Sequence, residues 1–242
     1  MKGSLASGCT AAALGFLLAW CAAPSAAEAS SLTSAYCKVR EHGFSSYPTP
    51  GRSTFSNSVG IVLFNPGPKL GTSVKFRVDL IDAQGHIVVT EQSPVMSTMN
   101  YVRPKSEAYA VFDVETDTPI VKIKVFVRCK VPDPLNTTAP NAPPAMKARG
   151  SIESRSEGYM TVTGTVRNTS ATQELGWPVL VLRNAAGRIV GGSTTHTSYT
   201  NERVGLIRRG ETRPWRMVIP DVPTATSLTG LVGDSTTYMH WT

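Results

Sequence analysis

Residues 159–191 read YMTVTGTVRNTSATQELGWPVLVLRNAAGRIVG, and their pattern decides the fold class. Met160, Val162, Gly164 and Val166 alternate with Tyr159, Thr161, Thr163, Thr165 and Arg167. Period-two alternation among β-branched residues is the signature of a half-buried strand. Asn168-Thr169-Ser170 breaks it with turn formers. Val179-Leu180-Val181-Leu182 is an unbroken apolar run, as expected of a strand covered on both faces. Asn184-Ala185-Ala186-Gly187 supplies a tight turn, and Arg188-Ile189-Val190 begins the return strand.

A second copy lies about a hundred residues earlier. Gly60-Ile61-Val62-Leu63-Phe64-Asn65-Pro66 repeats the order of strand, Asn and breaker. Val74, Phe76, Val78 and Leu80 alternate with Lys75, Arg77 and Asp79. Asp82-Ala83-Gln84-Gly85-His86-Ile87-Val88 matches Asn184 to Val190, and Ser106-Glu107 matches Gly210-Glu211. A near-constant offset across three turns points to a duplicated unit. No segment after residue 30 shows the 3.6 period of a helix. The expected fold is all-β: two immunoglobulin-like antiparallel β-sandwich domains in tandem, spanning 30–131 and 148–242. Each half is long enough to bury a core. Residues 132–147 hold Pro132, Pro134, Pro140, Pro143 and Pro144. Such a run favours an extended polyproline II path and reads as a semi-rigid spacer.

The order V-x-G-x-V-x-N-x-S, V-x-L, N-A-x-G-x-I-V, G-E across residues 159–219 resembles the FxLYD-type domain, a small β-sandwich of exported bacterial and archaeal proteins. The resemblance covers about a quarter of the chain and implies an extracytoplasmic address. It implies no catalytic residues.

The N-terminus agrees with that address. Lys2 precedes an apolar run from Ala11 to Cys21, and Ala27-Glu28-Ala29 has the form of a cleavage site. Residues 1–29 therefore read as a secretory signal peptide, too short to be a spanning helix. The expected location is periplasmic or secreted. The alternative is a lipoprotein anchored through Cys21, although Trp20 occupies the place where a small residue normally precedes such a cysteine. Cleavage after Ala29 leaves Cys37 and Cys129, an even pair in an oxidising compartment. Cys37 shares parity with Val39, and Cys129 with Val121, Ile123, Val125 and Val127. Both thiols should point inward from opposite ends of the first domain and form a disulfide.

The chain carries 24 basic and 17 acidic residues, a net charge of +7. The surplus is +3 in residues 30–133 and +3 in 148–242, so no single half is marked as a nucleic-acid surface. Arg208-Arg209-Gly210-Glu211-Thr212-Arg213-Pro214-Trp215-Arg216 is the best candidate ligand surface. Arginine forks suit phosphate and carboxylate groups, and Arg208, Arg209, Arg213, Trp215 and Arg216 are the candidate ligand-binding residues. The competing reading is a solvated turn with Trp215, Met217 and Ile219 alternating into the core. Asp113, Glu115 and Asp117 share strand parity and would suit Ca²⁺, but the plainer reading is a wet strand face. Trp177 reads as a core plug. His42, His86, His196 and His240 lack metal-ligand spacing. No nucleophile elbow, P-loop or dinucleotide fingerprint appears. No metal or cofactor is expected. Asn136-Thr137-Thr138 and Asn168-Thr169-Ser170 match glycosylation acceptors, relevant only in a eukaryotic source.

The sequence thus leads to a non-enzymatic envelope protein that binds a protein partner or an anionic envelope polymer. A periplasmic chaperone acting by sheet-edge pairing is the alternative, and an enzyme with a scattered site is a more distant one.

Overall fold

The computed structural model describes residues 36–98, 101–131, 145–169, 173–194 and 204–234. Residues 1–29, read above as a leader with Cys21 within it, and most of the Pro-rich segment lie outside them. The described chain is all-β. Its strands are β1 (Lys38–Pro48), β2 (Phe55–Phe64), β3 (Gly71–Ile81), β4 (Ile87–Glu91), β5 (Val95–Met96), β6 (Tyr101–Val102), β7 (Glu107–Thr116) and β8 (Lys122–Lys130), then β9 (Met146–Ser156), β10 (Tyr159–Arg167), β11 (Gln173–Arg183), β12 (Ile189–Ser193), β13 (Gly205–Ile207), β14 (Thr212–Pro220) and β15 (Ser227–Asp234). All pairing is antiparallel. In the first half, one sheet runs β1-β2-β7-β5, and β3 pairs with β4, β6 and β8 in another. In the second half a single sheet runs β12-β11-β15-β9-β10-β14, with β13 also on β11.

The strands form where alternation places them. On β3, Val74, Phe76, Val78 and Leu80 point into the first core, where they meet Val59, Ile61 and Leu63 of β2 and Ile123, Val125 and Val127 of β8. Val121, which shares their parity, lies before β8 begins and is 42% exposed. The second sheet folds over on itself around Met160, Val162, Val166, Leu180, Leu182, Trp215, Met217 and Ile219.

The repeat recurs at the level of individual hydrogen bonds. The Asp82 carboxylate accepts from the backbone N–H of Gln84 and His86 (2.9 and 2.8 Å). The Asn184 side-chain oxygen accepts from Ala186 and Arg188 (3.0 and 3.1 Å). In each turn the glycine, Gly85 or Gly187, takes the positive φ that closes it. Asn65 and Asn168 are both fully buried, and each donates its amide across the sandwich, to Val102 O and Ile207 O, at 2.9 Å. Their backbone carbonyls accept from Lys105 and Gly210, the two residues that hold positive φ at that corner. Burial also rules out Asn168 as an accessible sugar acceptor.

The two halves share a third apolar layer. Val62, Tyr109 and Val111 of the first half meet Val179, Val181, Ile189 and Leu231 of the second. β2 is consequently buried on both faces, as is the run Val179–Leu182, whose four residues have no exposed surface. The doubly covered strand expected from the sequence is covered on its second side by the other half of the molecule. The two halves lie in contact with each other.

Backbone meets backbone in this layer. A Cβ on Gly43 would collide with the Ile189 carbonyl, and one on Gly60 with the Gly191 carbonyl. The missing side chains let β12 lie directly on β1 and β2. Polar groups are satisfied across the contact. Ser45 Oγ donates to Val190 O (2.6 Å), Ser58 Oγ donates to Gly192 O (2.8 Å) and Gly192 N–H donates back to Ser58 Oγ (3.1 Å). Arg183 donates to both oxygens of Glu41 at 2.6 and 2.8 Å. This fork holds the Glu41 carboxyl below the usual carboxylate range.

Candidate functional site

Cys37 and Cys129 are joined in a disulfide with a Cα–Cα distance of 5.8 Å. Cys37 precedes β1 and Cys129 lies on β8, so the bridge ties together the two sheets of the first half. The expected parity holds: Cys37 is fully buried and Cys129 packs against the same core.

The arginine-rich segment forms the turn between β13 and β14. Gly210 takes φ of 82° and Glu211 N–H donates to Arg208 O at 3.0 Å. The Glu211 carboxylate organises the turn from inside. One oxygen accepts from Arg208 N–H (2.8 Å) and the other from Arg213 Nε (2.8 Å). These bonds, the backbone one foremost, hold its pKa below the ordinary value. Leu206, Arg208, Arg209, Glu211 and Arg213 line an open depression of about 560 Å³.

The structure divides the five candidate residues. Arg208 and Arg209 are exposed, and neither side chain has an ion pair with a described residue. Arg213 lines the depression but is committed to Glu211. Arg216 faces away along β14 and pairs with Glu153 at 3.2 Å. Trp215 is 5% exposed and belongs to the core. Its indole lies against Gly150 and Gly164, where a Cβ would intrude on the ring. Of the nine-residue stretch, Arg208, Arg209 and Arg213 are therefore brought together, while Trp215 and Arg216 are not.

The acidic trio is dispersed. Glu115 pairs with Arg52 at 3.1 Å, and Asp117 is exposed beyond the end of β7. Asp113 reaches the contact between the halves and accepts from Ser193 Oγ at 3.0 Å. It keeps exposed surface, yet the two halves crowd it. Lost solvation pushes its pKa up to about 6, against the lowering effect of the neighbouring Ser58 and Ser193 hydroxyls. His42 is turned inward with an unpartnered Nδ1 among the described residues, and burial lowers its pKa. Among the described residues no group of His, Cys, Asp and Glu is arranged to hold a metal ion, and no helix is long and apolar enough to cross a membrane. The side chain of Trp177, together with His196 and His240, lies outside the described residues.

Sequence reasoning missed the glycines and serines of the interdomain contact. The clue was present as Gly191-Gly192-Ser193 at the end of the strand that Ile189 begins, a run too small-sided for a free-standing edge. Compared with known family models, curated proteins and solved structures, the chain matches none.

Proposed function

We propose that the protein is an exported, non-enzymatic binding module that recognises an anionic group on an envelope partner or polymer at the β13–β14 turn. The observation that carries this reading is the depression lined by Leu206, Arg208, Arg209, Glu211 and Arg213. Glu211 fixes Arg213 and the turn backbone, leaving Arg208 and Arg209 as the cations a carboxylate or phosphate would meet. The turn stands at the end of a folded sheet, where a loop can carry recognition without disturbing the core. The leader-like residues 1–29, the disulfide and the resemblance of residues 159–219 to FxLYD-type domains support the extracytoplasmic address.

Retention on an immobilised linear polyphosphate or polyglutamate tests the reading. Replacing Arg208 and Arg209 by Ser should weaken retention and leave residual binding less sensitive to salt. The melting temperature should barely move, because exposed arginines contribute at most a fraction of a kcal/mol each. Unchanged retention would sink the proposal.

A further inference from the structure

The antiparallel pairing of β3 and β8 places Thr72 opposite Lys130, Lys75 opposite Arg128, Arg77 opposite Phe126, Asp79 opposite Lys124 and Ile81 opposite Lys122. The alternate residues Phe76, Val78 and Leu80 face the core with Ile123, Val125 and Val127. The outer face of this sheet therefore collects Lys75, Arg77, Lys122, Lys124, Arg128 and Lys130. Successive cations on one strand stand about 7 Å apart, and the two strands about 5 Å apart. The single acid that β3 and β8 contribute is Asp79. It is buried and accepts from Arg77 Nε and Nη2 at 2.9 Å each and from Thr90 Oγ1 at 2.9 Å. Arg77 also lies over the Phe126 ring, 5.5 Å from its centre. With Arg77 and Asp79 neutralising each other, Lys75, Lys124, Arg128 and Lys130 remain as four positive charges on an open sheet.

Apolar side chains complete the surface. Ile87 of β4 pairs with Ile81 on this same face and is 51% exposed. Val88, the bulge residue beside it, is 36% exposed, and Val121 at the head of β8 is 42% exposed. Three of the five exposed large apolar residues of the described chain thus gather at one corner of the basic face. Charges along β8 also blunt an open sheet edge. That does not account for the aliphatic corner.

We propose that the outer face of the β3–β8 sheet docks the protein on an anionic lipid bilayer. A broad sheet face matches an extended charged surface better than a single polymer chain does. Three of these four cations are lysines, mobile point charges suited to diffuse attraction instead of bidentate recognition. Ile87, Val88 and Val121 supply what a wet polyanion does not need: aliphatic groups that can enter the headgroup boundary. The site is separate from the β13–β14 turn, so it stands or falls independently of the function proposed above.

Co-sedimentation of the processed chain with vesicles of zwitterionic lipid, with and without 30–40% anionic phospholipid, tests this. Binding should require the anionic lipid and fall with salt. The variant Lys75→Ser/Lys124→Ser/Arg128→Ser removes exposed or half-exposed cations without touching the core. It should weaken partitioning on the order of a hundredfold at low salt, since each basic residue near such a surface contributes roughly a fivefold step. Ile87→Ser should weaken binding several-fold, most visibly at physiological salt, where the electrostatic share is smaller. Arg208→Ser/Arg209→Ser should bind vesicles as the parent does. Three results would overturn the proposal. The first is no preference of the parent for anionic vesicles. The second is parent-like binding by the triple variant. The third is loss of binding on changing the cations but none on changing Ile87, with soluble polyphosphate held as tightly as vesicles, which would make the face a polyanion site.

Discussion

Strand β15 forms a ladder with β9, Met146 opposite Val232 and Ala148 opposite Gly230, and this joins the two layers of the second half into one sheet. Their counterparts in the first half, β8 and β1, form no such ladder, and the sheets there stay separate. Cys37 and Cys129 stand in the same place. Val39, opposite Leu63 on β2, corresponds to Ala148, opposite Val166 on β10, which sets Cys37 at the position of Met146. One copy of the repeat closes with backbone hydrogen bonds and the other with a covalent bond. A closing contact is required by the architecture, and the chemistry that supplies it is free to differ. The cores show the same exchange. Ile61 opposite Ala110 in the first half becomes Gly164 opposite Trp215 in the second. A large and a small residue have traded places, and the volume at that level is filled either way.

Removing the covalent closure should have the largest effect. Cys129→Ala opens a loop of 92 residues and should lower stability by about 2–5 kcal/mol. Denaturation followed by tryptophan fluorescence reports the second half, because Trp215 lies in its core. Since the halves share the layer around Val62 and Val181, the fluorescence transition should move with the first half. A second half that unfolds at its original midpoint would show that the shared layer couples them little.

Next in size is the contact that only one face of the first half makes. Gly43→Ala drives a methyl into the Ile189 backbone carbonyl, which cannot turn aside. Overpacking of this kind typically costs about 1–3 kcal/mol. The expected reading is a lower urea midpoint with the disulfide intact, and an unchanged midpoint would mean that β12 does not sit on β1 in solution.

The smallest expected effect concerns Asp113 at the rim of the same contact. Its folded pKa of about 6 lies above its ordinary value of 3.8. The folded state therefore holds the proton more tightly than the unfolded chain. The associated stability is fully present below 3.8 and is lost as the pH rises through about 6. Asp113→Asn should raise the melting temperature by a few degrees at most at pH 7.5, because the side chain keeps access to water. It should leave the melting temperature unchanged near pH 3.5. Equal shifts at both pH values would exclude titration as the cause.

Much of the fold was legible because a strand writes its burial into alternate residues. Met160, Val162 and Val166, or Ile123, Val125 and Val127, need no partner to declare which side is buried. The paired turns at Asp82 and Asn184 were legible for a similar local reason: a short polar side chain and a glycine close the loop on their own backbone. The disulfide followed from parity and an even count. The candidate site was legible only in part. Alternation applied to Thr212–Pro220 correctly sends Trp215 inward, whereas the commitment of Arg213 to Glu211 and of Arg216 to Glu153 depends on where neighbouring side chains end.

The amino-acid sequence by itself determined the all-β class, the repeat, the register of inward and outward residues along each strand, and the cysteine pair. These depend on period-two spacing and on turn chemistry, both local properties. Tertiary structure decided three things: that Gly43 and Gly60 face Ile189 and Gly191, that the first half buries its second sheet face against the other copy, and that Lys75 lies beside Arg128. Each of these joins residues at least fifty positions apart. The pairing of β3 with β8 and the seating of β12 on β2 are set by how whole sheets bury their apolar faces, and no local pattern records that outcome.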